Sequence, residues 1–195
     1  MNITETKEIL KEISDTIIEN KEYLTELDSA IGDGDHGFNM AKGFKFVKES
    51  LEDDFDDYKS LFMMVSQKLI SKVGGASGPL YGTFFMKFAM KLNGVDNLDR
   101  NSFNEAFKDG VEGVKMRGKA KVGDKTMIDV LEPVSIALNE GKDFSQVLEI
   151  AKEKLDYTKE IKANKGRASY IGERSIGHID PGAMSSYLML KKVFE

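Results

Sequence analysis

Residues 28–39 read DSAIGDGDHGFN, placing three carboxylates, Asp28, Asp33 and Asp35, in one short connection with a histidine and three glycines. Carboxylates held roughly 4–6 Å apart repel by about 1–4 kcal/mol per pair at effective dielectrics between that of water and about 20. A bound cation relieves that repulsion, and an all-oxygen acidic set suits Mg2+ or Ca2+ rather than zinc. The calcium loop of an EF-hand is excluded, because the twelfth position counted from Asp33 requires a chelating acid and is Phe44. Mg2+, which keeps waters and shares its shell with substrate phosphates, is the better match. Asp and Gly also form turns with no ion present, so the acidic stretch has to be weighed together with the other loops.

Three further connections carry polar or small residues. Gly74-Gly75-Ala76-Ser77-Gly78-Pro79 lacks bulk, and Pro79 is expected at a first helical position. Such a loop lets backbone N–H groups approach an anion at a helix N-terminus, although it also suits a tight link between packed helices. Residues 118–126, GKAKVGDKT, overlap two near-misses to a P-loop. The run from Gly113 has Ala120 where a hydroxyl is required, the run from Gly118 has Asp124 where the lysine belongs, and neither follows a strand. The last loop, 164–182, holds Arg167, Arg174, His178 and the turn Asp180-Pro181-Gly182. Lys162, Lys165 and Arg167 form a small basic patch able to meet a phosphate. His36 and His178 are the only histidines. A phosphohistidine carrier at His36 is disfavoured by the neighbouring acids, which repel an anionic phosphoryl group; a supporting or phosphate-contacting role is expected instead.

Apolar residues recur at spacings of three and four almost throughout, so the elements positioning these loops are helices. Eight are expected, over about 4–26, 38–51, 58–73, 79–92, 101–117, 126–139, 144–162 and 182–194. Asn101 or Ser102 and Asp143 or Ser145 are expected caps or first-turn residues, and Gly94 and Gly141 expected stops. Met40, Met63, Met64, Met86 and Met90 read as core filling. The four loops follow helices one, three, five and seven. In an up-and-down arrangement alternate connections fall at one end, so the four loops are expected to converge on one rim.

The chain has 195 residues, 41% hydrophobic and 31% charged, a size and composition that suit one globular domain over 1–195. The absence of cysteine excludes disulfides and thiolate metal sites and suits a reducing compartment. The acidic amphipathic start lacks the pattern of a signal peptide, and no apolar run approaches a bilayer span. A net charge of −5 leaves no broad footprint for nucleic acid. A soluble, cytoplasmic protein with neither nucleic-acid nor membrane partners is expected.

GDGDHG at 32–37, GGASGPLYGT at 74–83, GDKTM at 123–127 and GRASYIGERSIGHIDPGA at 166–183 resemble, in the same order and over nearly the whole chain, the L-subunit family of bacterial dihydroxyacetone kinases. The resemblance implies an all-α fold, an eight-helix antiparallel up-and-down barrel with ADP or ATP and two Mg2+ ions at one rim. It implies Asp28, Asp33 and Asp35 as metal ligands. His36, Gly37, Phe38 and Asn39 would approach the phosphates with Ala76 and Ser77, and Gly118, Met127, Arg167, Asp180, Pro181 and Gly182 would complete the nucleotide site. It implies as partners a K subunit that holds dihydroxyacetone and an M subunit whose phosphohistidine rephosphorylates ADP in place. A free chain of this length resembles the phosphoenolpyruvate-dependent version. The alternatives are an L-like subunit using exchangeable ATP with another acceptor, and a non-catalytic nucleotide sensor that contacts a transcriptional regulator.

Overall fold

The structure, a computed structural model, describes residues 1–195. It contains α-helices and one 3₁₀ segment: α1 (Ile3–Glu19), α2 (Lys21–Ile31), α3 (His36–Ser50), α4 (Tyr58–Lys72), α5 (Ser77–Lys91), α6 (Arg100–Gly118), α7 (Ile128–Asn139), α8 (Phe144–Tyr157), the 3₁₀ segment Arg167–Ser175, and α9 (Pro181–Phe194). No helix is long and apolar enough to cross a membrane.

The main departure from the expected eight helices lies at Asn20, where the first helix breaks. Asn20 leaves helical geometry at φ −93°, ψ 13°, and its side-chain amide donates to Thr16 O at 2.8 Å. Hydrophobic spacing gave no sign of this break, because Ile17 and Leu24, both fully buried, stay in helical phase across it. The other corrections concern helix ends. Helix α5 begins at Ser77, so Pro79 stands inside its first turn, where its missing N–H leaves no helical bond unmade. Helix α6 is capped by Asp99, whose carboxylate accepts from Ser102 N at 2.8 Å, and Asn101 and Ser102 fall in its first turn. Helix α8 ends at Tyr157, five residues early. Asp143 caps α8 as expected, accepting from Gln146 N at 2.9 Å, and Gly94 and Gly141 follow α5 and α7 at φ +79° and +80°.

Helix α1 packs on α3, each later helix packs on its successor, and α9 returns to α1. Helix α2 lies outside that cyclic order, against α3, α9 and the 3₁₀ segment. One apolar cluster of 41 buried residues draws on every α-helix. Aromatic rings carry it from α4 to α9: Phe62 meets Phe88 edge-on at 4.7 Å, Phe84 meets Phe107 at 5.3 Å, and Phe103 meets Phe194 at 5.9 Å.

Candidate nucleotide and metal site

The acidic turn joins α2 to α3. Asp28 is in the last turn of α2 and is buried, whereas Asp33 and Asp35 are exposed. Its Oδ2 accepts from Asp35 N at 2.9 Å and His36 N at 3.1 Å, so a buried carboxylate faces the N-terminal N–H groups of α3, where the helix dipole favours negative charge. Gly32 makes room for this group, since a Cβ there would lie 2.1 Å from Asp28 Oδ1. Each of the three aspartates offers an oxygen within 4.8 Å of the other two. That close set of oxygens, partly free of protein donors, suits a hard divalent cation. Arg167 Nε lies 2.8 Å from Asp33 Oδ2.

His36, the first residue of α3, is buried between two other helices. Its Nδ1 lies 3.1 Å from Ser77 Oγ at the start of α5, and its Nε2 lies 3.0 Å from Ser185 Oγ of α9. Burial pulls its pKa below 6.5, against the raising effects of Asp28 and Asp35. A neutral imidazole with both nitrogens engaged is a brace, and it is poorly placed to carry a phosphoryl group. Tyr81 extends the brace: its hydroxyl lies 2.7 Å from Ser185 Oγ, 2.9 Å from Ser186 Oγ and 3.0 Å from Gly182 O.

Asp180 caps α9, accepting from Ala183 N at 2.7 Å. Burial pushes its carboxyl up to about 7; Asp129 and Asp28 push the same way, while the Ala183 N–H and Lys125 oppose. Asp129 in turn accepts from Gly123 N at 2.6 Å and Thr126 N at 2.7 Å, which shapes the loop entering α7.

These pieces surround a cavity of about 400 Å³. Asp28, Asp33, Asp35 and His36 form one side, with Ala76 and Ser77 beside them. Gly118 and Met127 contribute from the ends of α6 and α7, and Arg167, Asp180, Pro181 and Gly182 from the last loop. All four glycine-rich connections thus meet at one cavity.

Gly37, Phe38 and Asn39 do not line it. A Cβ at Gly37 would lie 1.9 Å from Lys21 O, so this residue sits at a close approach of α2 and α3. Phe38 is 54% exposed, with Lys21 Nζ 6.0 Å from its ring centre. Asn39 donates its N–H to Asp35 O at 3.0 Å, and its side-chain amide lies against Gly74. Sequence reasoning overlooked Arg117, Lys125, Thr126 and Tyr81, which do line the cavity. Tyr81, Lys125 and Thr126 lie inside the quoted GGASGPLYGT and GDKTM runs; Arg117, one residue before Gly118, carried no signal of its own.

The family model described as the DAK2 domain matches residues 30–195. The ADP-binding subunit of PEP-dependent dihydroxyacetone kinase 1 from Listeria innocua is 45% identical over 187 residues, 95% of this chain and 92% of that one. The corresponding Escherichia coli subunit is 42% identical over 191 residues, 93% of this chain and 91% of its own length. Among solved structures, the dihydroxyacetone kinase of C. freundii superposes with a TM-score of 0.79 at 26% identity, covering 96% of this chain. The same kinase in complex with AMP-PNP and Mg2+ gives 0.76 at 25% identity over the same share. This chain spans about a third of that kinase (33%). With the match running over residues 30–195 and near-full-length relatives above 40% identity, the chain belongs to the DAK2 domain family.

Proposed function

We propose that this chain is the ADP-binding subunit of a phosphoenolpyruvate-dependent dihydroxyacetone kinase, a cytoplasmic phosphotransferase component folded as a single domain over 1–195. In this reading the cyclic order of helices is an antiparallel up-and-down barrel, and the cavity at its rim takes the ADP phosphates together with two Mg2+ ions. The phosphoryl group passes from the phosphohistidine of an M subunit to ADP, and from there to dihydroxyacetone held on a K subunit, giving dihydroxyacetone phosphate. Both partners must reach the same rim, so they dock on overlapping surfaces and alternate.

The observation that carries this reading is the meeting of Asp28, Asp33 and Asp35 with Arg117, Lys165 and Arg167 around one cavity. Carboxylates on one side and cations on another suit a polyphosphate held through metal, and phosphoryl transfer is chiefly a matter of alignment and charge neutralisation. Asp28, Asp33 and Asp35 would hold the magnesium, which when bound offsets charge on the transferring group and its neighbours. Asp28 also orients the first N–H groups of α3. His36 and Tyr81 keep the starts of α3, α5 and α9 in register. Arg167, a planar donor, can exchange Asp33 for a phosphate oxygen.

The test is to purify the protein without added nucleotide, denature it and quantify the nucleotide released, with a parallel sample treated with EDTA. Near-stoichiometric ADP that is lost on chelation, with transfer when K subunit and phosphorylated donor are added, is expected. An empty protein that binds ATP weakly and reversibly would favour an exchangeable-substrate kinase; Mg-dependent binding without transfer would favour a sensor.

A further inference from the structure

Lys125 of the GDKTM run has a fully buried side chain and a left-handed backbone at φ +60°. Its Nζ donates to four main-chain carbonyls: Ser175 O at 2.6 Å, Thr158 O and His178 O at 2.7 Å, and Ile161 O at 3.2 Å. Three N–H bonds serving four acceptors require the ammonium form, and none is left to meet a phosphate. Burial lowers its pKa, and the acidic groups of Asp180 and Asp129 oppose that shift.

The four carbonyls come from both ends of one segment. Thr158 caps the C-terminus of α8, and His178 lies two residues before the N-cap of α9. Between them the chain runs out to Lys165, Gly166, Arg167 and Ala168, which wall the cavity, and returns. Secondary ties follow the same closure: Gly177 N donates to Lys159 O at 2.7 Å, Ala163 N to Ser175 Oγ at 2.9 Å, and Asn164 N to Asp124 O at 3.0 Å. Lys125 is covalently joined to Thr126 and Met127, which line the cavity from the α7 side. One ammonium therefore ties two walls together.

We infer that Lys125 is a positioning residue for nucleotide retention, its ammonium closing the 158–178 segment into a wall that holds Lys165–Ala168 against the site. This rests on the reading of the cavity as a nucleotide site. Without the cation, four inward-facing carbonyls lose their common partner and the segment opens.

The experiment uses the full chain loaded with Mg-ADP, following labelled ADP released into excess unlabelled nucleotide and hydrogen exchange of amides 159–178. Losing buried partners of this kind is expected to speed ADP release from Lys125→Ala by about tenfold or more. Exchange in 159–178 should rise while that in α4 and α5 stays unchanged. Propylammonium, which replaces the missing part of the side chain with its charge, should slow both, and 1-propanol should slow neither. Lys125→Arg serves if the alanine variant does not fold: its larger head displaces the carbonyls, so exchange and release should rise together. Wild-type release from a variant with a loosened segment overturns the inference, as does rescue by propanol equal to that by propylammonium. A wild-type chain that takes up no Mg-ADP overturns the functional reading and the inference with it.

Discussion

Arg167 and Asp33 form an ion pair across the cavity mouth, Nε to Oδ2 at 2.8 Å, joining the last loop to the acidic turn. Both side chains are substantially exposed, 65% and 36%, so the pair contributes little to stability. A metal at the aspartates has to compete with this guanidinium. Arg167→Gln is therefore expected to leave the urea midpoint nearly unchanged, to strengthen Mn2+ binding without nucleotide, and to weaken Mg-ADP binding. Calorimetric titration of each ligand separates the two effects; parallel weakening of both would contradict the competition.

The three aspartates should differ when replaced. Asp33→Ala and Asp35→Ala are expected to lower Mg-ADP retention by roughly 10–100-fold with normal helix content, because neither side chain is buried. Asp28→Ala should also lower folding stability by about 1–3 kcal/mol, because it strands the N–H groups of Asp35 and His36. Denaturation of the metal-free protein alongside nucleotide retention checks the contrast.

Gly37→Ala should reach the site indirectly. The added methyl would meet Lys21 O at 1.9 Å and Thr25 N at 2.7 Å, backbone atoms that move only if α2 shifts away from α3. Overpacking of this kind is expected to destabilise by about 1–3 kcal/mol. It should also separate Asp28 from Asp35, weakening metal binding. Gly94→Ala, in open space away from the cavity, is the control, although its φ of +79° carries some strain.

Asp180 makes the metal-free protein sensitive to pH. Its folded-state pKa of about 7 lies above the ordinary carboxylate value of 3.8. Between those values the native state holds a proton that the unfolded state has lost. The contribution of Asp180 is therefore fully present below pH 3.8 and is lost as pH rises through 7, at about 1 kcal/mol per pH unit. Asp180→Asn, which keeps an oxygen for Ala183 N, should remove this slope. The difference between wild-type and variant urea stabilities from pH 4 to 8 measures it; a constant difference would refute the assignment.

The helical class, the family and the loops that build the site are legible along the chain, because apolar spacing and clusters of glycine and aspartate express local rules of chain geometry. Electrostatics singled out the acidic turn as a candidate cation site, and the family resemblance, not the turn itself, put metal ligands there. What each of these residues touches emerges only on packing. The break at Asn20 is silent in the hydrophobic pattern. Gly37, expected near phosphate, is spent on the contact between α2 and α3, and the imidazole of His36 is held by residues 41 and 149 positions away. Lys125 meets carbonyls 33 to 53 positions downstream. Such partnerships depend on where distant backbone atoms end up after packing, and backbone carbonyls are the same in every residue. No pattern of side chains along the chain could announce them.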